Sequence, residues 1–352
     1  MTVLVGSNSS GKSSIMQAIQ FMNGIVQSAA SVHRNHQTWL SNNEDSYVTS
    51  IPVEKMIYSP SEDIYSIAHN GKLSRAAEDS IVLRMETDSG SKAEVNFSTT
   101  RERNLKATLS GKKLLTSIEE WSSHFTILSA GVSGISHSEQ YKNEGILKKA
   151  TLAGDANSVF RNVLYLLSRD NLKFSKFTND LNTLYPDIEL IVDFDEKTDT
   201  SIGVFLKEKI ENGYRKFPVE LAGTGLLQCI HILSYLNWFE PKIFILDEPD
   251  AHLNEYRQRK LADLLIEISS IRPELQMIVA THSPTLVDNF ALNGAQVSWV
   301  INGEIRKYER GEEFTDIFND LGALASIENV QNNNLRYLIL TEDKNMIIYK
   351  RF

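Results

Sequence analysis

The sequence predicts an α/β fold with a mostly parallel core sheet, an antiparallel β subdomain and a helical lobe, on three observations. The run MTVLV leads through a glycine-rich turn into SSIMQAIQFMNGIV, which reads as strand, turn and helix. KIFIL and QMIVA are near-continuous apolar runs, as parallel strands covered on both faces are, and NEYRQRKLADLLIEISSI between them has the length of a crossover helix. IVLRMET, KAEVNFST and NLKATLS alternate apolar and polar residues around Gly-Ser turns, the pattern of half-exposed antiparallel strands.

Taken in order, the opening unit spans 1–30, and Ile15, Ile19 and Met22 fall at helical spacing after the turn. From about residue 28 to 80 the chain reads as polar and irregular. The antiparallel subdomain is expected over 80–130, with HFTILSAG as its last strand. A helical lobe is expected over 140–186, where SVFRNVLYLLSRD and KFTNDLNTLY carry helical periodicity up to Pro186. IELIVDFD and SIGVFLKE then pair as a hairpin around DEKTDT, and GLLQCIHILSYLNWF is a mostly apolar helix ahead of KIFILDEP, within a half that runs over 187–330.

A chain of 352 residues with 41% hydrophobic and 23% charged residues has the composition of an ordinary globular protein. No apolar run approaches the roughly 20 residues that span a bilayer, so no membrane partner is expected. The start shows no signal-peptide pattern, and the lone Cys229 has no internal disulfide partner, which fits a reducing cytoplasm. The net charge of −9 argues against a uniformly basic nucleic-acid coat but leaves room for a local groove. The basic pairs Lys112–Lys113, Lys148–Lys149 and Arg101/Arg103 read as solvated surface, and His33 and His36 lack metal-ligand spacing.

The turn itself is Gly6-Ser7-Asn8-Ser9-Ser10-Gly11-Lys12-Ser13-Ser14, which matches G-x-x-x-x-G-K-[ST] between a strand and a helix. Gly6, Asn8, Ser9, Ser10, Gly11, Lys12, Ser13 and Ser14 are the candidate nucleotide-binding residues. Glycines let backbone N–H groups turn inward around phosphates, Lys12 reaches the β and γ phosphates, and Ser13 ligates Mg²⁺. Asp247 and Glu248 end the apolar strand KIFILD, where open α/β sheets place their ligand crevice. Asp247 is the candidate Mg²⁺ ligand, and Glu248 the candidate base or water-orienting group. His282 ends the next apolar strand and is placed to donate a hydrogen bond to the γ-phosphate. Lys12, Glu248 and His282 form the candidate catalytic set, and ATP and Mg²⁺ the expected cofactors.

In their order, this turn (Walker A), LAGTGLLQ, ILDEPDAHLN (Walker B) and ATHSP resemble the ABC-type ATPase head shared by the SMC, RecF and OLD (overcoming lysogenization defect) families. The resemblance implies that Gly223, Thr224 and Gly225 form a signature turn capping the γ-phosphate held by a partner subunit, although the Ser-Gly-Gly of transporter signatures is replaced. It implies an ATP-hydrolysing head that closes as a homodimer, or a higher oligomer, around sandwiched ATP and controls a nuclease or effector protein in anti-phage defence, with DNA or another nucleic acid as a partner. The alternatives it leaves open are a RecF/SMC-type DNA-repair clamp without nuclease activity, a transporter nucleotide-binding subunit, and a nucleotide-sensing scaffold. Gln140 is the candidate for the glutamine that links the two lobes of such heads.

At the far end, LILTED resembles the start of a TOPRIM nuclease domain, with Glu342 at a strand end and 335–352 as its truncated beginning. Glu342 alone cannot cleave a phosphodiester, because two-metal cleavage needs several carboxylates. Related heads precede the phosphate turn with a hairpin for which MTVLV has no room. Both ends therefore lead us to expect an excised part of a longer chain.

Overall fold

A computed structural model of the chain describes residues 1–32, 46–68, 71–75, 80–120, 125–129, 131–132, 135–152, 156–308 and 317. His33, His36, Glu342 and the 335–352 segment lie outside them, as do the side chains of Lys148 and Lys149.

The strands in chain order are β1 (Thr2–Val5), β2 (Ser46–Ile51), β3 (Ile81–Glu86), β4 (Lys92–Thr99), β5 (Leu105–Ser110), β6 (Thr126–Ser129), β7 (Ile188–Asp193), β8 (Gly203–Ile210), β9 (Gly213–Pro218), β10 (Ile243–Asp247), β11 (Gln276–Ala280), β12 (Gln296–Ile301) and β13 (Glu304–Tyr308). They form a core sheet in the order β13-β12-β1-β11-β10-β6, a four-stranded sheet β2-β5-β4-β3 and a three-stranded sheet β7-β8-β9. The core sheet is parallel except for β13, which returns antiparallel on β12. The two smaller sheets are antiparallel throughout. The fold is thus α/β with a mostly parallel core.

Alternation along the core strands divides the interior between the two faces of the sheet. Val3, Val5, Phe244, Leu246, Met277 and Val279 point into one hydrophobic core, together with the helices Phe160–Arg169, Asn171–Leu184, Thr224–Phe239, Glu255–Ile271 and Pro284–Leu292. Leu4, Ile243, Ile245, Ile278 and Ala280 point into a second core, shared with the helix Lys12–Val32 and the sheet β2-β5-β4-β3. The helix Thr224–Phe239 is buried on nearly every side from Leu227 onward, which its mostly apolar sequence requires. The crossover helix Glu255–Ile271 starts at Asn254, whose side chain accepts the Arg257 N–H at 2.9 Å.

Three expectations need correction. The strand at 126–129 does not belong to the antiparallel subdomain: β6 pairs in parallel with β10 at the edge of the core sheet. A strand of only four residues, TILS, carries no signal of its direction. The stretch from 28 to 80 is not irregular throughout, since the first helix continues to Val32 and SYVTSI forms β2 against β5. In that first helix Ile15 and Ile19 are only half-buried, while Met16, Phe21, Ile25 and Val26 are fully enclosed. The helix lies between two sheets, so its buried surface widens beyond a single stripe.

Candidate functional site

Strand β1 delivers the chain at Val5 into the glycine-rich turn. At Gly6 a Cβ would lie 2.3 Å from the Val300 carbonyl oxygen, a distance no side chain tolerates. Ser9 and Gly11 have φ of +63° and +110°, and such changes of backbone hand turn N–H groups into an anion-binding concavity. Ser7, Asn8, Ser9, Ser13 and Ser14 are exposed, whereas Gly6, Ser10 and Lys12 are buried.

The Lys12 ammonium donates to the carbonyls of Gly6 at 2.8 Å and Ser7 at 3.1 Å, so it is held under the turn it belongs to. It also lies 3.0 Å from His282 Nε2, 270 positions away in sequence. Thr281, just before His282, extends the β1–β11 ladder by donating its N–H to the Leu4 carbonyl at 3.2 Å. Beside β11, Asp247 ends β10 and Glu248 takes the left-handed conformation at φ +48°. Glu248 donates its N–H to the Ala280 carbonyl at 2.9 Å, which pins the bend. Its carboxylate then meets His282 twice, with Oε1 3.2 Å from Nε2 and Oε2 accepting the backbone N–H at 3.2 Å. Lys12, Glu248 and His282 therefore form one contiguous cluster at the C-terminal edge of the parallel sheet, with Asp247 adjoining it.

Its electrostatics favour a positive guest. Burial, and then the charges of Asp250 and Asp247, push the Glu248 carboxyl up to about 7, against the opposing pull of the His282 N–H and Lys12. Burial also raises Asp247, opposed by Lys12, and raises Asp250, opposed by a hydrogen bond from the Thr281 hydroxyl at 2.5 Å. Three acids in four positions thus carry a desolvation cost that their neighbours offset only in part, and a bound cation would offset more of it. Among the described residues no group of three or more His, Cys, Asp or Glu is placed to hold a metal unaided. Mg²⁺ is commonly held through one or two carboxylates together with substrate phosphates, so an Asp247 carboxylate and a Ser13 hydroxyl fit that ion. The glycine-walled turn with a buried lysine likewise fits a polyphosphate.

Gly223 and Thr224 are exposed at the start of the helix Thr224–Phe239. Gly225 is close-packed, because a Cβ there would lie 2.7 Å from the His252 carbonyl in the loop after Glu248. Gln140 is exposed, and its backbone carbonyl accepts the Asn162 amide at 2.9 Å. A different glutamine, Gln228, reaches from the helix Thr224–Phe239 to the loop after β6 and accepts the Val132 N–H at 2.7 Å. Sequence reasoning also missed the β12–β13 turn, where Gly303 donates its N–H to the Ser10 carbonyl at 2.8 Å and so braces the phosphate turn. Its signal was present: Asn302-Gly303 between two β-rich runs is a hairpin turn, and both residues have positive φ, +50° and +80°.

Among solved structures the chain is similar to the SMC head domain from Thermotoga maritima, with TM-score 0.42 and 14% identity over 88% of this chain and 90% of that one. It is also similar to an SMC head bound to the C-winged helix domain of ScpA, with TM-score 0.47 and 17% identity over 90% and 92% of the two chains. A third is an Smc head domain with an extended coiled coil bound to the C-terminal domain of ScpA, from Pyrococcus furiosus, with TM-score 0.45 and 13% identity over 91% and 93%. No curated protein matches the sequence. Residues 1–288, from β1 through the phosphate turn to the helix after His282, match a family model, and on that span the chain belongs to the ATPase family described as "AAA domain, putative AbiEii toxin, Type IV TA system".

Proposed function

We propose that the chain is the ATP-binding and ATP-hydrolysing head of an OLD-like or SMC-like protein, which dimerises around bound nucleotide and controls a nuclease or effector in anti-phage defence. The observation that carries the ATPase reading is the contact chain from Lys12 Nζ to His282 Nε2 at 3.0 Å and on to Glu248 Oε1 at 3.2 Å. It joins the phosphate turn to the acidic strand end in one cluster. Membership of an AAA-domain family supports the same chemistry.

In this reading Lys12 binds the β and γ phosphates, while Ser13 and Asp247 hold Mg²⁺. Glu248 orients the attacking water and accepts its proton, and His282 donates a hydrogen bond toward the γ-phosphate. ATP·Mg²⁺ supplies the phosphoryl group and the charge neutralisation. Gly223, Thr224 and Gly225 serve the partner copy's nucleotide, so turnover depends on assembly. The defence setting rests on the OLD resemblance and accords with the toxin–antitoxin wording of the family description. DNA or another nucleic acid, and a separate effector protein, are the partners it implies, in the cytoplasm. Among the described residues no helix is long and apolar enough to cross a membrane.

The test compares wild type, Lys12→Ala and Glu248→Gln by nucleotide binding and by solution mass with and without ATP·Mg²⁺. Lys12→Ala should lose nucleotide binding, and Glu248→Gln should bind and accumulate as a dimer. Unchanged mass for Glu248→Gln under ATP·Mg²⁺ would remove the sandwich, and hydrolysis at the wild-type rate would remove the role of Glu248.

A further inference from the structure

The helix Phe160–Arg169 carries a buried arginine, only 3% exposed, as its second residue. A cation in the first turn opposes the helix dipole, so local helix energetics do not explain its place. Its contacts do. Arg161 Nη2 donates to Glu220 Oε2 at 2.7 Å and to the carbonyls of Ser136 at 3.1 Å and His137 at 3.4 Å. Glu139 neutralises the same helix end, accepting the N–H groups of Arg161 at 2.9 Å and Asn162 at 3.0 Å.

The two sides of this knot are segments that matter. Ser136–Glu139 belongs to the chain that leaves β6, the strand beside β10 and its terminal Asp247. Glu220 sits in the 3₁₀ turn Val219–Leu221, which only Ala222 separates from Gly223. Gly223 provides no side-chain cap to the helix it opens, and Leu221 is 70% exposed. Together with buried Val219, Ala222 packed on the core and the close approach of Gly225 to His252, the Arg161–Glu220 pair attaches this turn to the rest of the fold.

Resting on the sandwich reading above, we propose that Arg161 is a positioning residue which, through Glu220, fixes the Gly223–Gly225 turn relative to the chain leaving β6, so that the pair governs what one copy presents to its partner's nucleotide. Among the described residues, no hydrogen bond or ion pair joins either of them to the phosphate turn of its own chain. Breaking the pair therefore separates two properties that general destabilisation would lower together.

The experiment uses the full chain carrying Glu248→Gln, with and without Glu220→Ala. Arg161→Lys, which keeps the charge but loses the fork geometry, is a second variant, and Glu220→Gln replaces Glu220→Ala if that protein does not fold. Affinity for a fluorescent ATP analogue, measured at protein concentrations below assembly, is expected to stay within about twofold of the parent, while the ATP-dependent dimer weakens by about tenfold or more, as for truncation of a buried charge pair. With Glu248 intact, mixing Glu220→Ala with Lys12→Ala should give more ATPase activity than the sum of the two, because hybrid pairs contain one complete site. Equal dimerisation of parent and variants overturns the proposal while leaving the sandwich standing, and so does a proportional loss of nucleotide affinity. A parent that stays monomeric in ATP·Mg²⁺ removes the sandwich reading and, with it, this role of Arg161.

Discussion

Glu248 combines a left-handed backbone, two contacts to His282 and a carboxyl pushed up to about 7, a concentration of cost at one residue that folding alone does not require. Replacing it with glutamine keeps the shape and removes the base, so kcat is expected to fall by about 10² to 10⁴-fold with little change in nucleotide affinity, as steady-state hydrolysis and equilibrium binding will show. His231 is a residue whose cost belongs to stability. It is fully enclosed, with Nδ1 3.1 Å from the Ser129 hydroxyl, and burial pushes it down to about 3 from an ordinary 6.5. The unfolded chain therefore takes up a proton below pH 6.5 that the folded chain refuses. Stability contributed by the neutral ring is present above pH 6.5 and is lost as the pH falls toward 3, with a slope on the order of 1.4 kcal/mol per pH unit. Denaturant titrations between pH 7 and 4 should show this slope, and His231→Phe should flatten it.

The hairpin β12–β13 shows how an element can serve a site from outside its motif. Val300 and Gly303 hold the phosphate turn from the side, one through close approach to Gly6 and the other through the bond to Ser10. Gly6→Ala is expected to cost about 3 kcal/mol or more and to weaken nucleotide binding, because backbone must move to admit the methyl group. Gly303→Ala should cost only about 1 kcal/mol, since its Cβ meets open space and only the positive φ is strained. Thermal melts of the two variants give the comparison. The apolar strands β10 and β11, the crossover helix and the phosphate turn were legible because each announces itself in local pattern and spacing. The direction of β6 and the reach of Gln228 to Val132 were not, because both are settled by tertiary neighbours far away in sequence. β2 escaped notice because SYVTSI is short and lies within a polar stretch. For the candidate site, residue types could be read from the motifs. The bracing by Asn302-Gly303, the Asp250–Thr281 bond and the Arg161–Glu220 pair required coordinates.

At the scale of the molecule, β1 lies between β11 and β12 in the middle of the core sheet, so the chain's first strand is completed by two of its later ones. A chain cut after Arg272 retains Gly6–Ser14, Asp247 and Glu248 but lacks both neighbours of β1. It is expected to lose nucleotide binding entirely, as fluorescence titration against the full chain would register. The same placement constrains birth on the ribosome: β1 emerges well before its first flanking neighbour, at 276–280. At about 5–20 residues per second, the nascent polypeptide spends on the order of tens of seconds between the two with its nucleotide pocket unbuilt, a delay that keeps triphosphate capture from preceding synthesis of β11.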